Sequence, residues 1–362
     1  MMRALVLTLL LFFSYSLTLA QNDLSERYFG DDPAIAFRVD SILNSLTPEQ
    51  KVAQLIMPAV GPYGKHEDTI KRLIKHGKVG GVLLLNGTKD QFKGWTKDFE
   101  TLNKEYGNLP FLYSADAEPS LVNRKMKNST PVKKAVDITT LEEVENTANT
   151  ISDDLLEVGV NYNFAPVVDV AKNATVGYRG FGKNEANILP FSNAFIAATQ
   201  EKNIIATAKH FPGHGLVSGD THKALQVIDG ELKELKYYPP LIANGVLSIM
   251  IAHIAVKNNE AYDTDGLPAT TSEKIVTELL RDSLGFEGLI VTDAMNMGGV
   301  VNVEDCYVKA IGAGCDILLM PVDPRQAHAD ILSMYLHDND FKSKVEESAR
   351  RIVRMKVALG LI

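Results

Sequence analysis

A (β/α)8 barrel of the TIM type, built as a single catalytic domain, is the fold this sequence predicts. Three observations predict it. Apolar, β-rich runs recur eight times, amphipathic helical stretches lie between them, and polar residues gather where the runs end. A doubly wound open sheet shares the alternation but would usually carry fewer strands.

The chain opens on Met1 to Ala20, with one positive charge at Arg3, an apolar run from Ala4 to Phe13 and small residues at Thr18 and Ala20. That pattern predicts a secretory signal peptide over residues 1–20, cut to leave Gln21 as the mature start, with no cysteine there to carry a lipid. The apolar run is shorter than the ~20 residues a spanning helix needs, so no membrane association is expected once it is removed. A periplasmic or extracellular location follows. Residues 21–45 form a polar lead-in, and the catalytic domain is expected over 46–362.

Thr47, Pro48, Glu49 and Gln50 then supply helix-start chemistry: an N-cap hydroxyl, a proline at the first helical position and acidic or amide groups in the first turn. The eight runs follow at 55–60, 79–85, 110–116, 160–170, 204–211, 247–254, 289–294 and 316–322. They are near-continuously apolar, as strands covered on both faces must be. The amphipathic segments between them, at 66–77, 89–107, 139–159, 272–285 and 303–314, each stop at a glycine. A long helical segment from Phe341 closes the chain.

Composition narrows the partners. Lys and Arg total 37 against 45 Asp and Glu, net −8, or −9 once Arg3 is removed (36 minus 45). Nothing here attracts a nucleic-acid backbone. The two cysteines, Cys306 and Cys315, neither build a disulfide scaffold nor suffice for a zinc site. No nucleophile elbow, phosphate loop or dinucleotide fingerprint is present.

Reacting groups of a barrel sit at the C-terminal strand ends. Run three ends with Asp116 and Glu118, run four with Asp169, run five with Lys209 and His210, and run seven with Asp293. After run five comes KHFPGHGLVSGDTH, Lys209 to His222. Gly213, Gly215 and Gly219 permit mobility, so this loop is expected to swing Asp220 and His222 over a ligand. The Asp-x-His spacing lets a carboxylate fix an imidazole's tautomer for acid/base work. Metal binding by His210, His214, Asp220 and His222 matches no helical metal signature, and no metal is expected.

These residues resemble glycoside hydrolase family 3, in its branch of single-barrel β-N-acetylglucosaminidases. KHFPGHG, four residues and DTH are similar to that branch's signature, and IVTDAMNMGGV is similar to its nucleophile motif. Supporting matches, among them VNYNFAPVVDV, RGFGKNE and AGCDILLMP, carry the resemblance from about Leu46 to Ile362. It implies Asp293 as nucleophile, His222 as acid/base and Asp220 as its partner. It further implies that Asp116, Arg124, Arg179, Lys209 and His210 contact the terminal sugar, that no cofactor is needed, and that the partner is a carbohydrate bearing a non-reducing N-acetylglucosamine. Other β-linked sugars, phosphorolysis and a non-catalytic carbohydrate-binding barrel stay open as alternatives. One departure stands out: where the family has Asp-x-Glu-Gly-Gly, this chain has Asp116-Ala-Glu118-Pro119-Ser120, a stiffer loop beside the sugar. Oligomeric state has no signature in the sequence.

Overall fold

The computed structural model describes residues 23–362; the expected signal peptide lies outside them. Its centre is a seven-stranded, all-parallel sheet whose members, in spatial order, are Leu289–Thr292, Ser248–Ile251, Ile205–Phe211, Tyr162–Asn163, Leu112–Ala115, Gly81–Leu84 and Ala59–Val60. Every side chain of the Gly81–Leu84, Leu112–Ala115, Ile205–Phe211, Ser248–Ile251 and Leu289–Thr292 strands is buried, which is why the sequence shows unbroken apolar runs in place of alternation. An eighth run contributes Leu318–Leu319, paired parallel with Ile56–Met57.

The sheet curls, and backbone bonds continue around the curl. Leu83 N–H donates to Pro58 O at 2.9 Å and Gly80 N–H to Ile56 O at 3.1 Å. On the other side Thr292 N–H donates to Ile317 O at 3.0 Å, and Met295 N–H to Leu319 O at 2.8 Å. This parallel α/β arrangement is consistent with the expected barrel.

Each of the eight runs contains a strand, but several strands are shorter than their runs. Only Tyr162–Asn163 of the run 160–170 pairs regularly; the rest is irregular chain leading to Asp169. The helices fall where amphipathic patterns place them, as at Glu67–Lys75, Lys89–Glu105 and Leu141–Glu157. The segment Lys274–Ser283 is wound as a π-helix. Thr47 and Gln50 close a reciprocal capping box at the first helix of the domain.

Residues of the polar lead-in form two helices, Leu24–Phe29 and Pro33–Ser45, that bury Leu24, Tyr28, Val39 and Leu43. Both pack on the last helix, Asn339–Ala358, where Arg354 donates to the carbonyls of Tyr28 and Gly30. The lead-in is thus part of the core. Two short parallel ribbons follow interior strands of the sheet in the chain, Gly87–Thr88 with Met126–Lys127 and Gln226–Asp229 with Ile254–Lys257. Cys306 and Cys315 are both free, buried thiols, and Cys315 Sγ points at Thr270 O.

Candidate active site

Strand ends and the loops after them surround a cavity of about 340 Å³. Seven of the eight expected site residues line it: Asp116, Arg124, Arg179, Lys209, His210, His222 and Asp293. The eighth, Asp220, lies directly behind His222.

On one wall the charges are paired. Buried Lys209 reaches Asp116 at 2.9 Å and Glu118 at 2.5 Å, Arg179 grips Glu118 through two bonds of 2.7 and 2.9 Å, and Lys125 holds the other oxygen of Asp116 at 2.7 Å. Burial pushes both carboxyls toward protonation, but the cations outweigh it. Lys125 and Lys209 hold Asp116 well below the ordinary carboxylate range, and Arg179 with Lys209 brings Glu118 to about 2. The group is therefore a rigid set of ionised donors and acceptors, in which Arg179 is spoken for by Glu118 and Arg124 stands exposed at the rim.

Next to this wall, His210 Nδ1 meets Asp169 Oδ2 at 2.6 Å, and the other carboxylate oxygen accepts His214 N–H at 2.8 Å. Asp169 thereby fixes the orientation of the imidazole that lines the cavity. The Lys209–His210 peptide bond is cis.

Asp293 differs from the carboxylates on the paired wall. It is half-buried and follows the Leu289–Thr292 strand, yet among the described residues no cationic lysine or arginine pairs with it, and its side chain accepts only the N–H of Ala294, at 2.8 Å. Burial raises its pKa. The fields of His210, His253 and His222 and the Ala294 N–H outweigh that and hold the carboxyl below its usual value. An ionised carboxylate kept without an ion pair in such a place has its oxygen open to the cavity.

His222 faces the same cavity from the loop after Ile205–Phe211. Its side chain is 58% exposed, and its Nδ1 meets Asp220 Oδ1 at 2.7 Å. The same oxygen accepts the backbone N–H of His222, so Asp220 fixes both ring and chain. Between half-buried Asp220 and exposed His222, Thr221 points inward, 1% exposed, and bonds His214 Nε2 at 2.8 Å. The loop is also clipped to the turn after Asp293: Gly298 N–H donates to His222 O at 3.0 Å and Gly299 N–H to Thr221 O at 3.1 Å.

The glycines of this loop serve close packing, contrary to the swinging lid expected from sequence. A Cβ on Gly215 would lie 2.1 Å from Val170 O, and Gly213 sits at a φ of +137° that side chains rarely adopt. Glu234, buried beneath, accepts Val170 N–H at 2.7 Å and Leu216 N–H at 3.2 Å, tying the loop base to the sheet; burial and the nearby Asp169 push its carboxyl up to about 8. Among the described residues no cluster of three or more His, Cys, Asp or Glu side chains is arranged to hold a metal ion.

A family model for the glycosyl hydrolase family 3 N-terminal domain matches residues 47–355. The chain belongs to glycosyl hydrolase family 3. It is 30% identical to a β-hexosaminidase of Glaesserella parasuis over 70% of this chain and 77% of that protein. It is 27% identical to a β-N-acetylglucosaminidase/β-glucosidase of Cellulomonas fimi over 91% of this chain and 61% of the relative, so it spans about three-fifths of that protein's length. Among solved structures, the β-N-acetylhexosaminidase of Beutenbergia cavernae superposes with a TM-score of 0.78 at 28% identity, covering 87% of this chain and 99% of that one.

Sequence reasoning named Glu118 and Asp169 only as polar residues at strand ends; their pairing with Arg179, Lys209 and His210 spans 41 to 91 residues and has no local signature. Glu118 in fact touches Lys209 as well, 91 positions away. Lys125, His253 and Glu234 gave no signal beyond their residue type.

Proposed function

We propose that this protein is a retaining β-N-acetylhexosaminidase that removes non-reducing terminal N-acetylglucosamine. The observation that carries the proposal is one cavity holding both an ionised, half-buried carboxylate with no lysine or arginine partner among the described residues, Asp293, and a carboxylate-backed imidazole, His222.

Asp293 attacks the anomeric carbon as the glycosidic bond breaks, and His222 gives its proton to the departing oxygen. His222 then takes a proton from water as water cleaves the glycosyl ester and frees Asp293. Asp220 supports the imidazolium that His222 becomes when it takes that proton. Asp116, Lys209, Arg179, Arg124 and His210 contact the sugar hydroxyls, a role that suits Asp116, Lys209, Arg179 and His210 because each is held in place by a partner of its own. No cofactor enters. The eight strands are taken to close as a complete (β/α)8 barrel, which the backbone bonds on both sides of Leu318–Leu319 favour, with 46–362 as one catalytic domain. The pattern in residues 1–20 supports export to the periplasm or beyond, where peptidoglycan fragments or chitin-type oligosaccharides supply the substrate.

A panel of aryl β-glycosides differing at the 2-substituent, assayed with wild type and Asp293→Ala, with and without phosphate, tests the proposal. Cleavage confined to 2-acetamido sugars, independent of phosphate and lost in the variant, is expected. Phosphate-dependent turnover would make the enzyme a phosphorylase, and binding without cleavage would make it a carbohydrate-binding barrel.

A further inference from the structure

Beside the candidate active site lies a second, larger depression of about 660 Å³, within the range of ligand pockets. Tyr63, Leu85, Arg124 and Lys125 line both, so the two are continuous. The direction of this continuity matters. Of the shared residues Lys125 bonds Asp116, whereas neither Asp293 nor His222 lines the second depression. On the functional reading above, the leaving group departs on the side of His222. The groove therefore extends from the opposite, hydroxyl-holding end of the sugar.

Its charge is opposite to that of the protein as a whole. The chain carries 45 acidic and 37 basic residues, yet the groove is lined by Arg124, Lys125 and Lys127 and by no carboxylate. Lys125 is committed to Asp116; among the described residues Arg124 and Lys127 have no acidic partner. The backbone of Lys127 is fixed in place by its pairing with Thr88 in the short ribbon. Tyr63, 73% exposed, offers an aromatic face at the junction, and Asn86 and Gln91 add polar atoms.

We propose that this cationic groove is a subsite for an acidic substituent carried by the non-reducing sugar, on the side away from the leaving group. The inference rests on the glycosidase reading. Two sources supply that chemistry on a terminal sugar, a sulfate ester or a phosphate ester of one of its own hydroxyls.

The test uses 4-nitrophenyl N-acetyl-β-glucosaminide, its 6-sulfate, its 6-phosphate and, as a neutral control, its 6-O-methyl ether. Wild type should cleave at least one acidic form with a kcat/KM at or above that of the unsubstituted glycoside. Lys127→Glu, a change on an exposed side chain, should lower that value at least fivefold while altering the unsubstituted glycoside less than twofold. Preference for neither acidic form, or equal losses on acidic and neutral glycosides, overturns the inference. Absence of hydrolysis of every glycoside would overturn the glycosidase reading instead. The groove is then judged by calorimetric binding of the same compounds, which must show the same dependence on Lys127.

Discussion

Substituting Gly298 by alanine should uncouple His222 from Asp293 without touching either. Gly298 N–H bonds the carbonyl of His222, and a Cβ there would sit 2.2 Å from Lys223 O and 2.5 Å from Lys223 C. Both are backbone atoms, so no side-chain rotation relieves the clash. Accommodating the methyl in place would cost about 1–3 kcal/mol. Parting the two loops forfeits the bonds from Gly298 and Gly299, each worth about 1 kcal/mol. The costs are comparable, so a large fraction of molecules should part the loops and carry His222 away from the bond that the proposed mechanism has it protonate. General acid help is worth about 10²- to 10⁴-fold in rate, and an activated aryl leaving group needs little of it. Gly298→Ala should therefore lose about 10²-fold in kcat/KM on a disaccharide and less than about fivefold on a dinitrophenyl glycoside. Because the change is local, the thermal midpoint should fall by only about 2 °C. Equal losses on the two substrates, or none, would refute the docking of His222 through Gly298.

Other substitutions probe the surrounding network. Asp220→Asn keeps the ring's hydrogen bond but removes the charge behind it, and should cut kcat/KM on a disaccharide about tenfold or more while sparing kcat/KM on the dinitrophenyl glycoside. Glu118→Gln strands Arg179 and crowds Lys209 with a neutral partner, which should cost about 3 kcal/mol or more in urea unfolding, because a buried cation loses its counter-charge. Lys356, fully buried against Gln54 Oε1 and Gly80 O, is brought down to about 7 by burial. Between pH 7 and 10 the folded chain then binds fewer protons there than the unfolded chain, so this residue's contribution makes stability rise with pH. From pH 7 to 9 that gain is roughly 2 kcal/mol, and Lys356→Met should abolish it when urea midpoints are compared.

Much of this architecture is written locally in the chain. Strands buried on both faces force continuous apolar runs, and so Gly81–Leu84 or Leu289–Thr292 can be found by inspection. Asp220 and His222 are two residues apart, and their bond follows from that spacing. What stayed hidden depends on contacts between distant segments. Nothing near Lys209 announces that it meets Asp116 and Glu118, and nothing near Lys125 marks it as a neighbour of the site. The loop glycines illustrate the same limit: their residue type permits mobility, whereas their surroundings, Val170 and Glu234, require close approach. The helices at Leu24–Phe29 and Pro33–Ser45 were hidden for another reason, being short and polar on much of their surface.

Whether Asp293 forms the bond to sugar is the question beneath all of these. Mass spectrometry of protein quenched during turnover of a slow 5-fluoro N-acetylglucosaminyl substrate answers it most directly. A single added fluoroglycosyl unit, mapped to the peptide containing Asp293 and absent in Asp293→Asn, is the predicted result. A label on any other residue, or turnover that proceeds with inverted configuration and no label, would contradict the account.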